Sequence, residues 1–201
     1  MAHTLKPVLP GDAFFLLRPT PVEARAMRIV AMPLSAEFGG VVADEFHLTL
    51  QRASGIAPQY WEPLLGELHS VMQNCRPFKL ETVGLWRFFS QFRQNNALFW
   101  TMRTTPALLE MRQSLDTVLL KYGATLSPWP LAEWKPHTLA LQNVQGIPSD
   151  LSLPPGIPRP SFTVHELWLS VYQPWGGFVD HPIIIFDPDA QEMDPPPTTP
   201  S

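Results

Sequence analysis

Two short strings of this sequence carry side chains suited to moving a proton and holding an anion. In Phe46-His47-Leu48-Thr49-Leu50 an imidazole and a hydroxyl are separated by one residue and enclosed by apolar ones. Alternate side chains of an extended chain share a face, so His47 and Thr49 point one way while Phe46, Leu48 and Leu50 point the other. The exposed pair then combines a group that titrates near neutrality with a hydroxyl that binds a phosphoryl oxygen. The second string, Trp134-Lys135-Pro136-His137-Thr138-Leu139-Ala140-Leu141, carries another histidine. Alternation sets His137, Leu139 and Leu141 on one face and Thr138 on the other, unless a bulge turns the strand there.

Around these strings the chain alternates strand and helix signals. Phe14-Phe15-Leu16-Leu17 reads as a buried strand. Thr20-Pro21-Val22-Glu23 opens a helix, with Thr20 as cap, Pro21 in the first turn and Glu23 completing a capping box. The spacing puts Val22, Ala26, Ile29 and Val30 on its apolar face. A second helix over residues 59–74 carries the stripe Trp61, Leu64, Leu65, Leu68, Val71 and Met72. Residues 78–89 read as a strand with an irregularity near Gly84, and 97–103 as another. Thr105-Pro106 starts a third helix, with Leu108, Met111, Leu115, Val118 and Tyr122 on one face and Gly123 at its C-terminal cap. Strands follow over 134–141, 162–171 and 182–186, with a Pro-rich connector at 147–160.

The order strand, Thr-Pro helix start, helix, histidine strand occurs twice, over residues 14–50 and 98–141. The copies share little other identity, so the repeat is one of structure. Such a duplication predicts an α+β fold of two pseudo-symmetric lobes, each an antiparallel sheet packed with helices, flanking a central groove. A histidine from each lobe then meets in that groove. Residues 1–188 form one bilobal domain in this reading, and the Pro-rich 189–201 a disordered tail.

The two strings resemble the His-x-Thr/Ser motifs of the 2H phosphoesterase superfamily, which includes the 2′–5′ RNA ligase-like proteins and cyclic phosphodiesterases. Phe46-His47-Leu48-Thr49-Leu50 matches the first motif, and Lys135-Pro136-His137 the usual lead-in to the second. The resemblance covers about residues 13–186. It implies that His47 and His137 are a general acid and base, with no metal and no cofactor. It also implies a nucleotide or RNA-end substrate holding a 2′,3′-cyclic phosphate or a 2′–5′ linkage, in a reaction that ligation reverses. The second motif departs from the pattern: Leu139 stands where Thr or Ser is expected, and Thr138 comes one residue early. Either a bulge turns Thr138 into the groove, or one phosphate-binding hydroxyl is missing. The substrate-binding candidates are Thr49, Thr138, Lys135, Trp134 and Tyr172. Trp129 and Trp175 are further stacking candidates, and Arg87 and Arg93 further cations.

Composition bounds the alternatives. The formal charge is −4 and 16% of residues are charged, which disfavours a binder of long duplex nucleic acid. Cys75 is the single cysteine, so no internal disulfide or cysteine zinc site forms. Residues 1–6 lack the apolar core of a signal peptide, and no apolar run reaches the ~18 residues of a membrane span, so a cytosolic protein is expected; a monomer is expected as well. His3, His69, His165 and His181 have no metal-ligand spacing. Trp61, Trp86, Trp100 and Trp168 read as core. The competing function is a nucleotide- or RNA-end-binding protein whose second motif is degenerate.

Overall fold

The computed structural model describes residues 8–90, 95–127, 131–145 and 156–186. The readings made for His3, Arg93, Trp129, most of the 147–160 connector and the 189–201 tail lie outside them. β1 (Ala13–Leu17) leads into α1 (Pro21–Phe38), β2 (Val41–Val42) and β3 (Leu48–Ser54). A 3-10 turn (Pro58–Tyr60), α2 (Trp61–Met72), β4 (Phe78–Ser90) and β5 (Asn95–Met102) follow. Then come α3 (Pro106–Lys121), β6 (Thr125–Leu126), β7 (His137–Gln142), β8 (Ser161–Val164), β9 (Glu166–Tyr172) and β10 (Phe178–Ile185). Every strand pair is antiparallel, in the order β10-β9-β1-β3-β7-β5-β4-β8.

The two histidine strands occupy the centre and join at a single pair, Leu48 with Thr138. β10-β9-β1-β3 form one half-sheet and β7-β5-β4-β8 the other. Two short strands cross the middle. β2, from the first half, pairs with β7, and β6, from the second, pairs with β3. Each histidine strand also carries a bulge three positions after its histidine: Leu50 opposite the Phe15–Leu16 step, and Ala140 opposite the Leu98–Phe99 step. The duplication read from the sequence is therefore a pseudo-two-fold arrangement about the Leu48–Thr138 pair.

Both Thr-Pro starts cap as their chemistry dictates. The Thr20 hydroxyl accepts from Glu23 N at 3.3 Å, and the Glu23 carboxylate accepts from Thr20 N at 3.0 Å. Thr105 accepts from Leu108 N at 3.2 Å. The buried face of α1 differs from the one read in the sequence. Val22 is 79% and Ile29 62% exposed, while Met27, Ala31 and Leu34 are buried. The cause is Glu23, whose carboxylate also accepts from Thr163 N of β8 at 2.7 Å. That bond turns the Glu23 side of the helix to the sheet, and Met27, Ala31 and Leu34 follow it at helical spacing.

Other boundaries shift for local reasons. The strand expected over 162–171 breaks at exposed His165 into β8 and β9, which pair with different neighbours. β7 starts at His137 rather than Trp134, because Pro136 has no N–H for the ladder and a 3-10 turn (Leu131–Glu133) precedes it. β10 begins at Phe178, so His181 lies within a strand rather than a turn. The irregularity in β4 falls between Thr82 and Gly84, where the sequence put it. Among the described residues no helix is long and apolar enough to cross a membrane.

Candidate active site

The central pair fixes which side chains meet. Leu48 and Thr138 are fully buried and share the core face of the sheet. In an antiparallel pair centred there, Thr49 comes level with His137, and His47, just ahead of β3, comes level with Leu139. All four point to the opposite face. The two histidines are thus diagonal neighbours across the centre, a relation that spans about 7–8 Å in a regular ladder. Thr138 is not among them. The β7 bulge falls at Ala140, too late to turn it, so its hydroxyl lies in the core without a hydrogen-bond partner among the described residues. The face beside His47 accordingly presents Leu139 where the resemblance led one to expect a hydroxyl.

His137 is held on three sides. Its Nδ1 lies 2.7 Å from the Lys135 carbonyl. A carbonyl can only accept, so Nδ1 carries the proton and Nε2 is left as the acceptor of the neutral ring. Trp86 and Phe99 meet the imidazole in T-shaped contacts at 5.1 and 4.9 Å between ring centroids. Burial among these groups pushes its pKa below the ordinary imidazole value, against the opposing pull of the Lys135 carbonyl. Thr101, on the same side of β7 as Phe99, is level with His137 on β5.

The first half-sheet surrounds His47 with charge instead. Continuing the β1–β3 register, Arg18 comes level with His47. Arg18 pairs with Asp180 of β10 and stacks at 4.7 Å over the Trp168 ring. Asp180 sits close enough to His47 for their charges to interact. Burial opposes its ionisation, but hydrogen bonds with Ser170 and Arg18 and the charges of Arg18 and His47 hold its pKa below the usual carboxylate value.

The remaining sequence candidates divide. Trp134 is half-buried under the Arg112 guanidinium at 5.0 Å, one residue before Lys135. Lys135 reaches His137 through its carbonyl, while its side chain is exposed. Tyr172 lies four positions beyond Trp168, the β9 residue level with Thr49, or about 13 Å along the strand at ~3.3 Å per residue. It packs there on Phe178 at 5.1 Å, away from the histidines. Arg87 alternates with Trp86 and points to the other face of β4, and Trp175 is 73% exposed in the β9–β10 turn. Trp100 is core, as read, but Trp86 and Trp168 flank the site. Their strand parity relative to the histidines was the available signal, and it requires the pairing register. No group of three or more His, Cys, Asp or Glu that could hold a metal occurs among the described residues.

No protein-family model matches the sequence, and comparison with curated proteins finds no match. Solved structures do match. One described as a phosphoesterase superposes with a TM-score of 0.59 at 17% identity, covering 87% of this chain and 95% of its own. Escherichia coli LigT in complex with 3′-AMP gives 0.58 at 20% identity with the same coverage. TT0787 of Thermus thermophilus gives 0.56 at 17% identity, covering 85% of this chain and 94% of its own. The chain has the fold of the 2H phosphoesterases. Within that fold it is similar to LigT along nearly its whole described length.

Proposed function

We propose that the chain is a metal-independent phosphoesterase acting on a nucleotide or RNA-end phosphodiester, a 2′,3′-cyclic phosphate or a 2′–5′ linkage. The observation that carries this reading is the Leu48–Thr138 register, by which His47, Thr49 and His137 share one face. His137 serves as base: its neutral ring keeps Nδ1–H on the Lys135 carbonyl and offers Nε2 to a water. The water oxygen bonds to phosphorus as its proton passes to Nε2. The bond from phosphorus to the leaving oxygen breaks, and His47, near Asp180, protonates that oxygen. Exchange with solvent then restores both rings. Thr49 binds a phosphoryl oxygen. In ligation the two roles exchange. E. coli LigT, which shares the fold, has been solved with 3′-AMP, NADP+ and ATP, which supports a nucleotide as ligand here.

One observation favours a second reading. Leu139 gives the phosphate no hydroxyl beside His47, as a binding protein with a degenerate half-site would have. Hydrolysis of nucleoside 2′,3′-cyclic phosphates and 2′–5′ linked dinucleotides in excess EDTA separates the two. Turnover that persists in the chelator supports the phosphoesterase. Binding of the same compounds without turnover supports the second reading, and turnover that EDTA abolishes contradicts the metal-independent mechanism.

A further inference from the structure

β4 and β5 run on past the start of β7, and the end of their ladder borders a cleft of about 410 Å³ beside His137. That volume lies in the ~300–1,000 Å³ range of small-ligand sites. Trp86 and Trp134 stand in its walls, Thr101 and Thr104 bring hydroxyls, and Arg103 and Lys135 bring cations. No described lining residue is acidic. Glu81, outside the lining, pairs with Arg103 at 3.5 Å and with Lys79 at 3.6 Å, so it offsets Arg103 only in part. Two of its lining residues neighbour His137: Trp86 touches the His137 ring and Thr101 is level with it.

Aromatic faces next to exposed cations and hydroxyls suit one ligand chemistry, a nucleobase joined to a phosphate. We propose that this cleft binds one nucleotide unit of the substrate, its base against Trp86 and Trp134. A phosphate other than the one being cleaved then meets Arg103 and Lys135. The inference deepens the proposed function: the preferred substrate is an oligonucleotide end, whose reacting phosphodiester has a phosphate neighbour, rather than a mononucleotide.

Calorimetric titration with adenosine 3′,5′-bisphosphate, adenosine and inorganic phosphate tests it. The bisphosphate is expected to bind at least tenfold more tightly than either fragment. Arg103→Glu and Lys135→Glu change exposed side chains and leave the core intact; each is expected to weaken binding at least tenfold. Arg25→Glu, an exposed charge reversal on α1, is expected to retain it. Absence of bisphosphate binding would overturn the proposal, as would affinity that ignores the reversals at Arg103 and Lys135, or that falls equally with Arg25→Glu. Turnover is read separately: a protein that hydrolyses diesters yet binds regardless of Arg103 and Lys135 contradicts the cleft alone. One that binds in the cleft without turnover contradicts the catalytic reading alone.

Discussion

Thr138 and Leu139 exchange the places that a His-x-Thr motif assigns to hydroxyl and apolar side chains, and each makes a prediction. A buried hydroxyl without a partner forfeits its bonds to water, so Thr138→Val is expected to leave stability unchanged or to raise it by up to about 1 kcal/mol. Turnover should not change; its loss would mean that Thr138 turns into the groove. Leu139→Thr adds a donor level with His47. A hydrogen bond to a charged group is worth roughly 1.5 kcal/mol or more, so phosphodiester affinity is expected to rise about tenfold. As the proposed base, His137 is expected to set the acid limb of the pH profile. A base works only when neutral, and its pKa is displaced below 6.5 by burial. Activity should therefore persist to lower pH than free imidazole would allow, and fall as His137 takes up a proton. Trp86→Ala admits water to the ring, raises that pKa and moves the limb of kcat/KM to higher pH. The two histidines and Thr49 were legible in the sequence because an alternating pattern fixes a strand's faces. Trp86, Trp168, Arg18 and Asp180 were not, because their positions depend on which strands pair and in what register.

At the scale of elements, α3 supports both histidine strands through one buried residue. Arg112 is 2% exposed; its Nη1 donates to the Leu50 carbonyl at 2.5 Å, and its Nε to Asp116 at 3.0 Å. Gln51 donates to the same Asp116 at 2.7 Å. Leu50 is the bulged residue of β3, and the other face of the guanidinium lies over Trp134, which leads into β7. Arg112→Met strands the Leu50 carbonyl and the Asp116 charge. It is expected to cost on the order of 3 kcal/mol in chemical unfolding and to lower kcat by disturbing the spacing of the histidines. The helix starts, the α3 stripe and the β4 irregularity could be read locally, since caps and periodicity are local chemistry. The buried face of α1 could not, because a bond from Glu23 to the distant Thr163 selects it. Nor could β2 and β6, two-residue strands that exist only through pairing with the opposite half of the molecule.

Across the whole molecule, two half-sheets meet at one residue pair and are laced by those exchanged strands. Gly40 marks how closely they approach. Its φ is +93°, and a Cβ there would lie 2.5 Å from the Gln142 carbonyl of β7. Gly40→Ala is expected to destabilise by at least ~1–3 kcal/mol, the cost of the left-handed backbone alone, read as a lower unfolding midpoint. The bilobal plan was legible because the strand–helix–strand order repeats. The single central bridge was not, yet it is what brings His47 and His137 to one face. The most direct test of that pairing is kcat for His47→Ala and His137→Ala, measured in EDTA on the diester that the wild-type protein hydrolyses fastest, with thermal unfolding as the control for folding. Each variant should lose at least ~10²-fold while unfolding at the wild-type temperature. A folded variant of either kind that turns over near the wild-type rate would contradict the two-histidine account.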